Sequence, residues 1–314
     1  MRVIVTDQVF GDLGVERSVL EPLGVELVEA PSTDEETLVG LAEGADALLV
    51  CFAAVTERVV EAAGRSGCRV ISRYGIGVDN IDLAAAAREG IRVTNVPDYC
   101  IEEVADHTVA LLLAAARQIV AVAAGVGSGG WGVPLGRVHR LSEQRLALLG
   151  SGRIGRAVTQ RALAFGLDVV VYDPYVTEVP ADVTQVASLE EAVAEADYVS
   201  LHMPLTSEVH HVASDRLFDA MNRAPVLVNT SRGGLVDLDA AVRALDDGRL
   251  GGLAIDVTEQ EPPPGDSPLR SHPRVILTPH MAFYSVESTK ELQARAADEV
   301  ARALRGEPAR SPVQ

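Results

Sequence analysis

Three apolar runs in the last third of the chain each end in a side chain able to handle a small acid. Val226-Leu227-Val228-Asn229 runs into Thr230-Ser231-Arg232-Gly233-Gly234, Gly252–Asp256 into Val257-Thr258-Glu259-Gln260-Glu261-Pro262, and Val275-Ile276-Leu277 into Thr278-Pro279-His280. Histidine titrates near neutral pH and delivers a proton to a carbonyl oxygen. A carboxylate beside it favours imidazolium and holds the ring, so Glu261 is expected to raise the pKa of His280. The planar fork of Arg232 suits a substrate carboxylate or carbonyl. Taken singly, Arg232 reads as a loop ion pair, Glu261 as a solvated turn residue and His280 as a capping or packed histidine. Their convergence at the ends of three strands reads as a catalytic triad.

A phosphate-binding pattern lies upstream. Gly150-Ser151-Gly152-Arg153-Ile154-Gly155 is a G-x-G-x-x-G between the apolar strand Leu146–Leu149 and the helical segment Ile154–Phe165. Gly150 allows the tight turn, Gly152 the approach of backbone to a pyrophosphate, and Gly155 close packing of helix on strand. The helix N-terminus presents unpaired N–H groups to phosphate. The next strand, Val169–Tyr172, ends at Asp173, where an acid accepts hydrogen bonds from ribose hydroxyls and repels a 2′-phosphate, which favours NAD over NADP. The alternative is a structural glycine turn with Asp173 as a cap. Beside a nucleotide loop, the triad suits hydride transfer between nicotinamide and a 2-oxo acid.

The elements that must position these groups alternate throughout. Val3–Thr6, Glu26–Val28, Ala47–Cys51, Val70–Arg73 and Arg92–Asn95 read as strands, with amphipathic Glu35–Ala42, Glu57–Ala63 and Leu83–Glu89 between them. A long helix is expected over Glu102–Gln118, then a loop over Gly125–Gly130. A second series reads Leu146–Leu149, Val169–Tyr172, Tyr198–Leu201, Val226–Asn229, Gly252–Asp256 and Val275–Leu277. Strands joined by single helices give parallel sheets. The expected fold is α/β, two doubly wound lobes: a flavodoxin-like substrate domain from residues 1–97 plus 284–314, and a Rossmann NAD-binding domain from 98–283. Helical Ser288–Leu304 returns to the first lobe.

With these residues placed, the chain resembles the D-isomer-specific 2-hydroxyacid dehydrogenase family over almost its whole length. The resemblance rests on Tyr74–Asp82, Asn95-Val96-Pro97, the glycine loop, His202-Met203-Pro204-Leu205-Thr206, Asn229–Asp237, Asp256–Pro262 and Thr278-Pro279-His280. It implies that His280 is the acid/base, Glu261 its partner and Arg232 the substrate arginine. It implies cofactor contacts from Val104, Arg153, Ile154, Asp173, Met203, Pro204, Thr230 and Asp256, substrate between the lobes, and a homodimer joined through its nucleotide domains. Within the family, Arg73 and Ile101–Asp106 resemble the C-terminal-binding-protein-like branch. That branch implies Arg73 on the substrate carboxylate, Phe283 lining the pocket, and substrate contacts from Phe52, Ala53, Gly75, Ile76 and Gly77. A strand-end ion pair is the other reading of Arg73. Cys51-Phe52-Ala53-Ala54 stands where the family often has a basic substrate loop, which argues against lactate-like or phosphoglycerate-like substrates.

Composition removes other classes. Of 314 residues, 45 are acidic and 27 basic, a formal charge of −18 that disfavours nucleic acid and anionic membranes. Cys51, Cys68 and Cys100 form no CxxC pair, so buried thiols in a reducing cytoplasm are expected. No signal peptide or membrane span is read. His202, His210 and His211 lack the spacing and carboxylate company of a metal site, so no metal is expected, and Trp131 is read as a packing anchor. Two alternatives stay open: oxidation of a phosphonate or phosphorus oxyacid, and a non-enzymatic NADH-sensing protein-binding module. Formate dehydrogenase relatives carry glutamine where Glu261 stands, which sets them aside.

Overall fold

The computed structural model describes residues 1–133, 136 and 138–313. The chain divides into two compact units, Met1–Tyr99 with Ser285–Gln314, and Cys100–Tyr284.

The first unit holds strands β1 (Arg2–Val5), β2 (Glu26–Glu29), β3 (Ala47–Val50), β4 (Val70–Arg73) and β5 (Arg92–Thr94), ordered β2-β1-β3-β4-β5. Every pairing is parallel, and the order is that of a flavodoxin-like sheet. Helices α1 (Gly14–Leu20), α2 (Glu35–Ala42), α3 (Glu57–Arg65) and α4 (Leu83–Glu89) follow successive strands. One face of the sheet buries Ile4, Leu48, Val50, Ile71 and Val93 against α2, α3 and α4. The last helix, α11 (Val286–Leu304), starts in a capping box between Ser285 and Ser288 and returns to this unit. The Ser72 hydroxyl of β4 donates to the Ala296 carbonyl of α11 at 3.0 Å.

The second unit begins with α5 (Ile101–Ala116) and α6 (Ile119–Gly127). The expected helix over Glu102–Gln118 is α5, ended by Gln118 in a left-handed conformation at φ 56°; the second helix, α6, was not expected. The pair bends by 61°, and no single helix among the described residues is long and apolar enough to cross a membrane. Gly125 and Gly127 lie in the last turn of α6, so the loop starts later than their spacing suggested; glycine is tolerated at a helix end.

Seven parallel strands follow: β6 (Arg145–Leu149), β7 (Asp168–Tyr172), β8 (Val183–Gln185), β9 (Tyr198–Leu201), β10 (Val226–Asn229), β11 (Gly252–Ile255) and β12 (Val275–Leu277). Their order is β12-β11-β10-β9-β6-β7-β8, a Rossmann order extended by one strand. The sequence pattern does not reveal the edge strand β8, since three residues are too few to show a period. The remaining helices are α7 (Arg153–Ala164), α8 (Leu189–Val193), α9 (Asp215–Asp219) and α10 (Leu238–Asp247).

Strand residues alternate between two cores. Leu146, Leu148, Val169, Val171 and Val228 pack with α5 and α7. Ala147, Leu149, Val170, Leu227 and Leu253 pack with α8, α9 and α10. Both faces are covered, which is why these strands read as unbroken apolar runs.

Candidate functional site

The glycine loop leaves β6 at its carboxyl end, beside β9, where the winding of the sheet reverses. Such a switch point is where open α/β sheets bind nucleotides. Gly150 has φ 104°, and a Cβ there would lie 2.5 Å from the His202 carbonyl oxygen. A Cβ on Gly155 would lie 2.4 Å from the Gly150 carbonyl oxygen. Gly152 differs: it caps α7, and a Cβ would meet nothing within 4 Å. Two glycines are therefore required by the protein itself. The third faces open space at the N-terminus of a twelve-residue helix that begins with Arg153 and Ile154, as a pyrophosphate cradle requires.

Asp173 stands one residue beyond β7. Its Oδ2 accepts the Ser151 N–H at 2.7 Å and its Oδ1 the Tyr175 N–H at 2.9 Å. The carboxylate thus pins the glycine turn, and its remaining lone pairs suit ribose hydroxyls. His202 follows β9; its Nε2 lies 2.8 Å from the Ser200 hydroxyl. Its buried Nδ1 has no hydrogen-bond partner, and burial pushes the imidazole pKa down to about 4. Met203 and Pro204 come next, and the Met203 nitrogen would lie 2.9 Å from a Cβ on Gly150. Val104 is buried in α5.

The chemical groups leave the same sheet edge. Because β10, β11 and β12 pair in parallel, their carboxyl ends lie side by side. Beyond β12, His280 takes a left-handed φ of 52°. Its Nδ1 lies 2.7 Å from Glu261 Oε2, and Glu261 Oε1 accepts the Thr258 N–H at 2.9 Å. Both carboxylate oxygens are thereby fixed. The Phe283 ring meets His280 edge-on, with centroids 6.3 Å apart.

Arg232 lies beyond β10. Its Nη1 donates to the Ser231 carbonyl at 2.7 Å, and the Asn229 amide fixes the turn by donating to the Arg232 carbonyl at 2.8 Å. A Cβ on Gly233 would fall 2.0 Å from the Thr258 carbonyl carbon, so the arginine loop lies directly on the loop of Glu261. His280 and Glu261 are in contact, and Arg232 is carried on the adjoining strand's loop. The Thr230 hydroxyl pairs with that of Thr108 on α5 at 2.7 Å.

Asp256, expected at the cofactor, acts first on the chain. Nearly fully buried, it accepts from the Thr278 hydroxyl at 2.5 Å and from the N–H groups of Met281 and Ala282 at 3.0 and 2.8 Å. His107 Nε2 on α5 lies 3.0 Å from the Thr278 hydroxyl. Sequence reasoning missed His107 and Thr108, whose partners lie more than a hundred residues away.

In the first unit, a separate loop is built around Arg73. The Asp7 carboxylate accepts the N–H groups of Cys51, Phe52 and Ala53 at 3.0, 2.6 and 3.1 Å. The Asn80 amide donates to the Cys51 and Ala53 carbonyls. The Arg73 guanidinium sits 5.6 Å from the Phe52 ring centroid and donates to the Asn80 side chain and the Tyr74 carbonyl. It crosses Gly75, where a Cβ would lie 2.7 Å from Nη1. The Ile76 carbonyl accepts from Asn95 at 2.6 Å, and Gly77 follows. Sequence reasoning missed the parts that Asp7 and Asn80 play in this loop. An acid just past the first strand was the signal for Asp7.

Two expectations are corrected. Trp131 is 93% exposed and anchors no core; the glycines around it supply no side chains to pack against. His210 and His211 do have carboxylate company, since each Nε2 lies beside Glu259, at 3.1 and 3.2 Å. The fold closes a gap of almost fifty residues that spacing alone did not bridge. Cys51, Cys68 and Cys100 are buried, and burial pushes the Cys51 and Cys68 thiols up to about 12.

Residues 109–282 match the family model for the D-isomer specific 2-hydroxyacid dehydrogenase, NAD binding domain. The chain is 37% identical over its whole length to D-3-phosphoglycerate dehydrogenase of Methanocaldococcus jannaschii, covering 59% of that protein. It spans about half the length of two chloroplastic D-3-phosphoglycerate dehydrogenases of Arabidopsis thaliana. It is 37% identical to glyoxylate reductase of Korarchaeum cryptofilum over 89% of this chain and 85% of that one. A crystal structure of a Thermus thermophilus protein superposes with a TM-score of 0.90 at 38% identity, all of both chains covered. Strand order, glycine loop and sequence agreement lead to one assignment: the chain belongs to the D-isomer specific 2-hydroxyacid dehydrogenase family.

Proposed function

We propose that this protein interconverts a small 2-oxo acid and a D-2-hydroxy acid with NAD(H), with His280 as acid/base, Glu261 as its partner and Arg232 as the substrate arginine. The 2.7 Å contact between His280 Nδ1 and Glu261 Oε2 carries the reading. With Nδ1 committed to Glu261, the proton passed to the carbonyl oxygen travels on Nε2. Arg232 holds the substrate carboxylate or polarises its carbonyl. The cofactor is held at Gly150, Gly152, Arg153, Ile154 and Gly155, with Asp173 on the ribose; Val104, Met203, Pro204, Thr230 and Asp256 complete its surroundings. When bound, it supplies or accepts the hydride.

Arg73 is proposed to take the substrate carboxylate, with Phe52, Ala53, Gly75, Ile76, Gly77 and Phe283 shaping the substrate side chain's surroundings. The geometry around Arg73 supports this, since Asp7 and Asn80 brace the loop against which it lies. Arg73 and Ile101–Asp106 also support the C-terminal-binding-protein-like branch. Relatives named as dehydrogenase and reductase favour catalysis over an NADH-sensing module and over oxidation of a phosphorus oxyacid.

A second copy of the chain is proposed as partner. No residue of α6 is buried, and Ile119, Val120, Val126 and, beyond them, Trp131 and Val133 are exposed. Such a patch suits a protein interface. Light scattering after chromatography tests it: Trp131→Glu with Ile119→Glu shifts the mass toward one chain. A cytoplasmic setting completes the reading, supported by the buried thiols.

Steady-state NADH oxidation against glyoxylate, pyruvate, phosphohydroxypyruvate and longer 2-oxo acids tests the activity. Turnover of at least one, lost in His280→Ala, is expected. Tight NADH binding with flat traces throughout the panel overturns it.

A further inference from the structure

His210, His211 and Glu259 form a cluster that the proposed reaction does not use. The two histidines lie in the segment after β9, and Glu259 lies in the loop after β11. Adjacent side chains ordinarily diverge along a chain. Here His211 takes a φ of 53°, uncommon for a residue with a side chain, and the imidazoles stack with centroids 3.9 Å apart and planes 26° from parallel. Both Nε2 atoms then meet one carboxylate, His210 at Oε1 and His211 at Oε2. The backbone holds the arrangement: the His210 N–H donates to the Thr206 carbonyl at 3.0 Å and the His211 N–H to the Gly234 carbonyl at 2.8 Å.

The donor set is that of a borderline divalent metal. Two imidazole nitrogens and a carboxylate oxygen are common zinc ligands, and water can fill a fourth position. Bonds of about 2.0–2.1 Å in tetrahedral array set ligand atoms ~3.3 Å apart. The two Nε2–oxygen separations are 3.1 and 3.2 Å, and the three ligating atoms all lie within 4.8 Å of one another. The side chains are 45%, 35% and 53% exposed, so an ion reaches them from solution.

We propose that His210, His211 and Glu259 form a site for a divalent transition-metal ion of the zinc class. An ion there ties the segment after β9 to the loop that carries Glu261 two residues further on. The Gly233 backbone already lies against the Thr258–Glu259 peptide, so the arginine loop is drawn into the same clamp.

Calorimetric titration of Zn2+ into metal-stripped protein tests the site, with melting followed in parallel. One saturable ion per chain and a Tm that rises with Zn2+ are expected; Mg2+, which prefers all-oxygen octahedra, produces neither. His210→Asn, His211→Asn and Glu259→Gln each weaken binding at least ~10-fold, the scale on which even outer partners of a ligand act. Asparagine at 211 tolerates the left-handed backbone. His280→Asn, which dismantles the separate His280–Glu261 pair, leaves the affinity unchanged. Absence of saturable Zn2+ binding by the unmutated chain overturns the proposal. So does binding that survives His210→Asn and Glu259→Gln, or that vanishes with His280→Asn.

Discussion

Asp256 grips the turn of His280 twice. Its carbonyl oxygen accepts the His280 N–H at 2.7 Å, while its carboxylate takes Thr278, Met281 and Ala282 on either side. A residue held at positive φ persists only where its surroundings over-determine it, and Asp256 supplies that constraint. Asp256→Asn keeps the shape but replaces one accepting oxygen with an NH2 that cannot accept, and removes the charge from the bonds that remain. It is expected to lower stability by roughly 1.5–3 kcal/mol, the worth of a charge-assisted bond, and to lower kcat. Urea unfolding alongside NADH oxidation checks both; unchanged stability contradicts the role.

His280→Ala is expected to lower kcat by ~10^2–10^4, the usual contribution of an acid/base group, with NADH affinity nearly unchanged. Glu261→Gln is expected to cost less, because the imidazole stays in the site, although the single amide oxygen can accept only one of the two hydrogens that Oε1 and Oε2 now take from Thr258 N–H and Nδ1. Fluorescence titration of NADH beside turnover separates binding from chemistry. A Glu261 variant worse than His280→Ala reverses the assignment.

The glycine loop offers a three-way comparison. Gly150→Ala and Gly155→Ala force a Cβ to within 2.5 and 2.4 Å of backbone oxygens, so both are expected to lower Tm as well as NADH binding. Gly152→Ala meets nothing within 4 Å; its Tm is expected to stay put while NADH affinity falls. A Gly152 variant that binds NADH normally removes the pyrophosphate from that position.

Asp173→Ala is expected to narrow the preference for NAD over NADP and to loosen the Ser151 turn, read as kcat/KM with each cofactor. An unchanged ratio places discrimination elsewhere.

His202 links the fold to pH. Above about 6.5, an ordinary imidazole value, the residue is neutral in folded and unfolded chains alike. As pH falls toward about 4, the unfolded chain takes up a proton that the folded one refuses, so stability falls through that window. The full effect is at most roughly 3 kcal/mol. Urea unfolding at pH 7 and 4.5 should show a smaller acid loss for His202→Asn than for the unmutated chain.

Most of the fold was legible because both sheets are parallel and covered on two faces. Every interior strand is then a short apolar run, and its end marks a place where ligands bind. The Arg232, Glu261 and His280 loops were found that way. The helix end at Gln118 was legible too, but α6 beyond it was not, because Gly125 and Gly127 read as the start of a loop. Nor was the approach of His210 and His211 to Glu259, which depends on where two loops from non-adjacent strands finish. The same limit hid His107, which reads as one more polar residue on a helix until Thr278 is placed beside it.

The return of α11 to the first unit sets an order of events during synthesis. Gln293 of α11 donates to the buried Glu16 carboxylate, which also accepts the Tyr74 hydroxyl, so the early strands wait for α11 to complete their core. All of Cys100–Tyr284 must emerge first, which at ribosomal speeds of ~5–20 residues per second is a wait of roughly ten to forty seconds. The contiguous nucleotide-type unit is thus the first to finish folding on the ribosome. The half-built neighbour is left as the stretch a chaperone would shield.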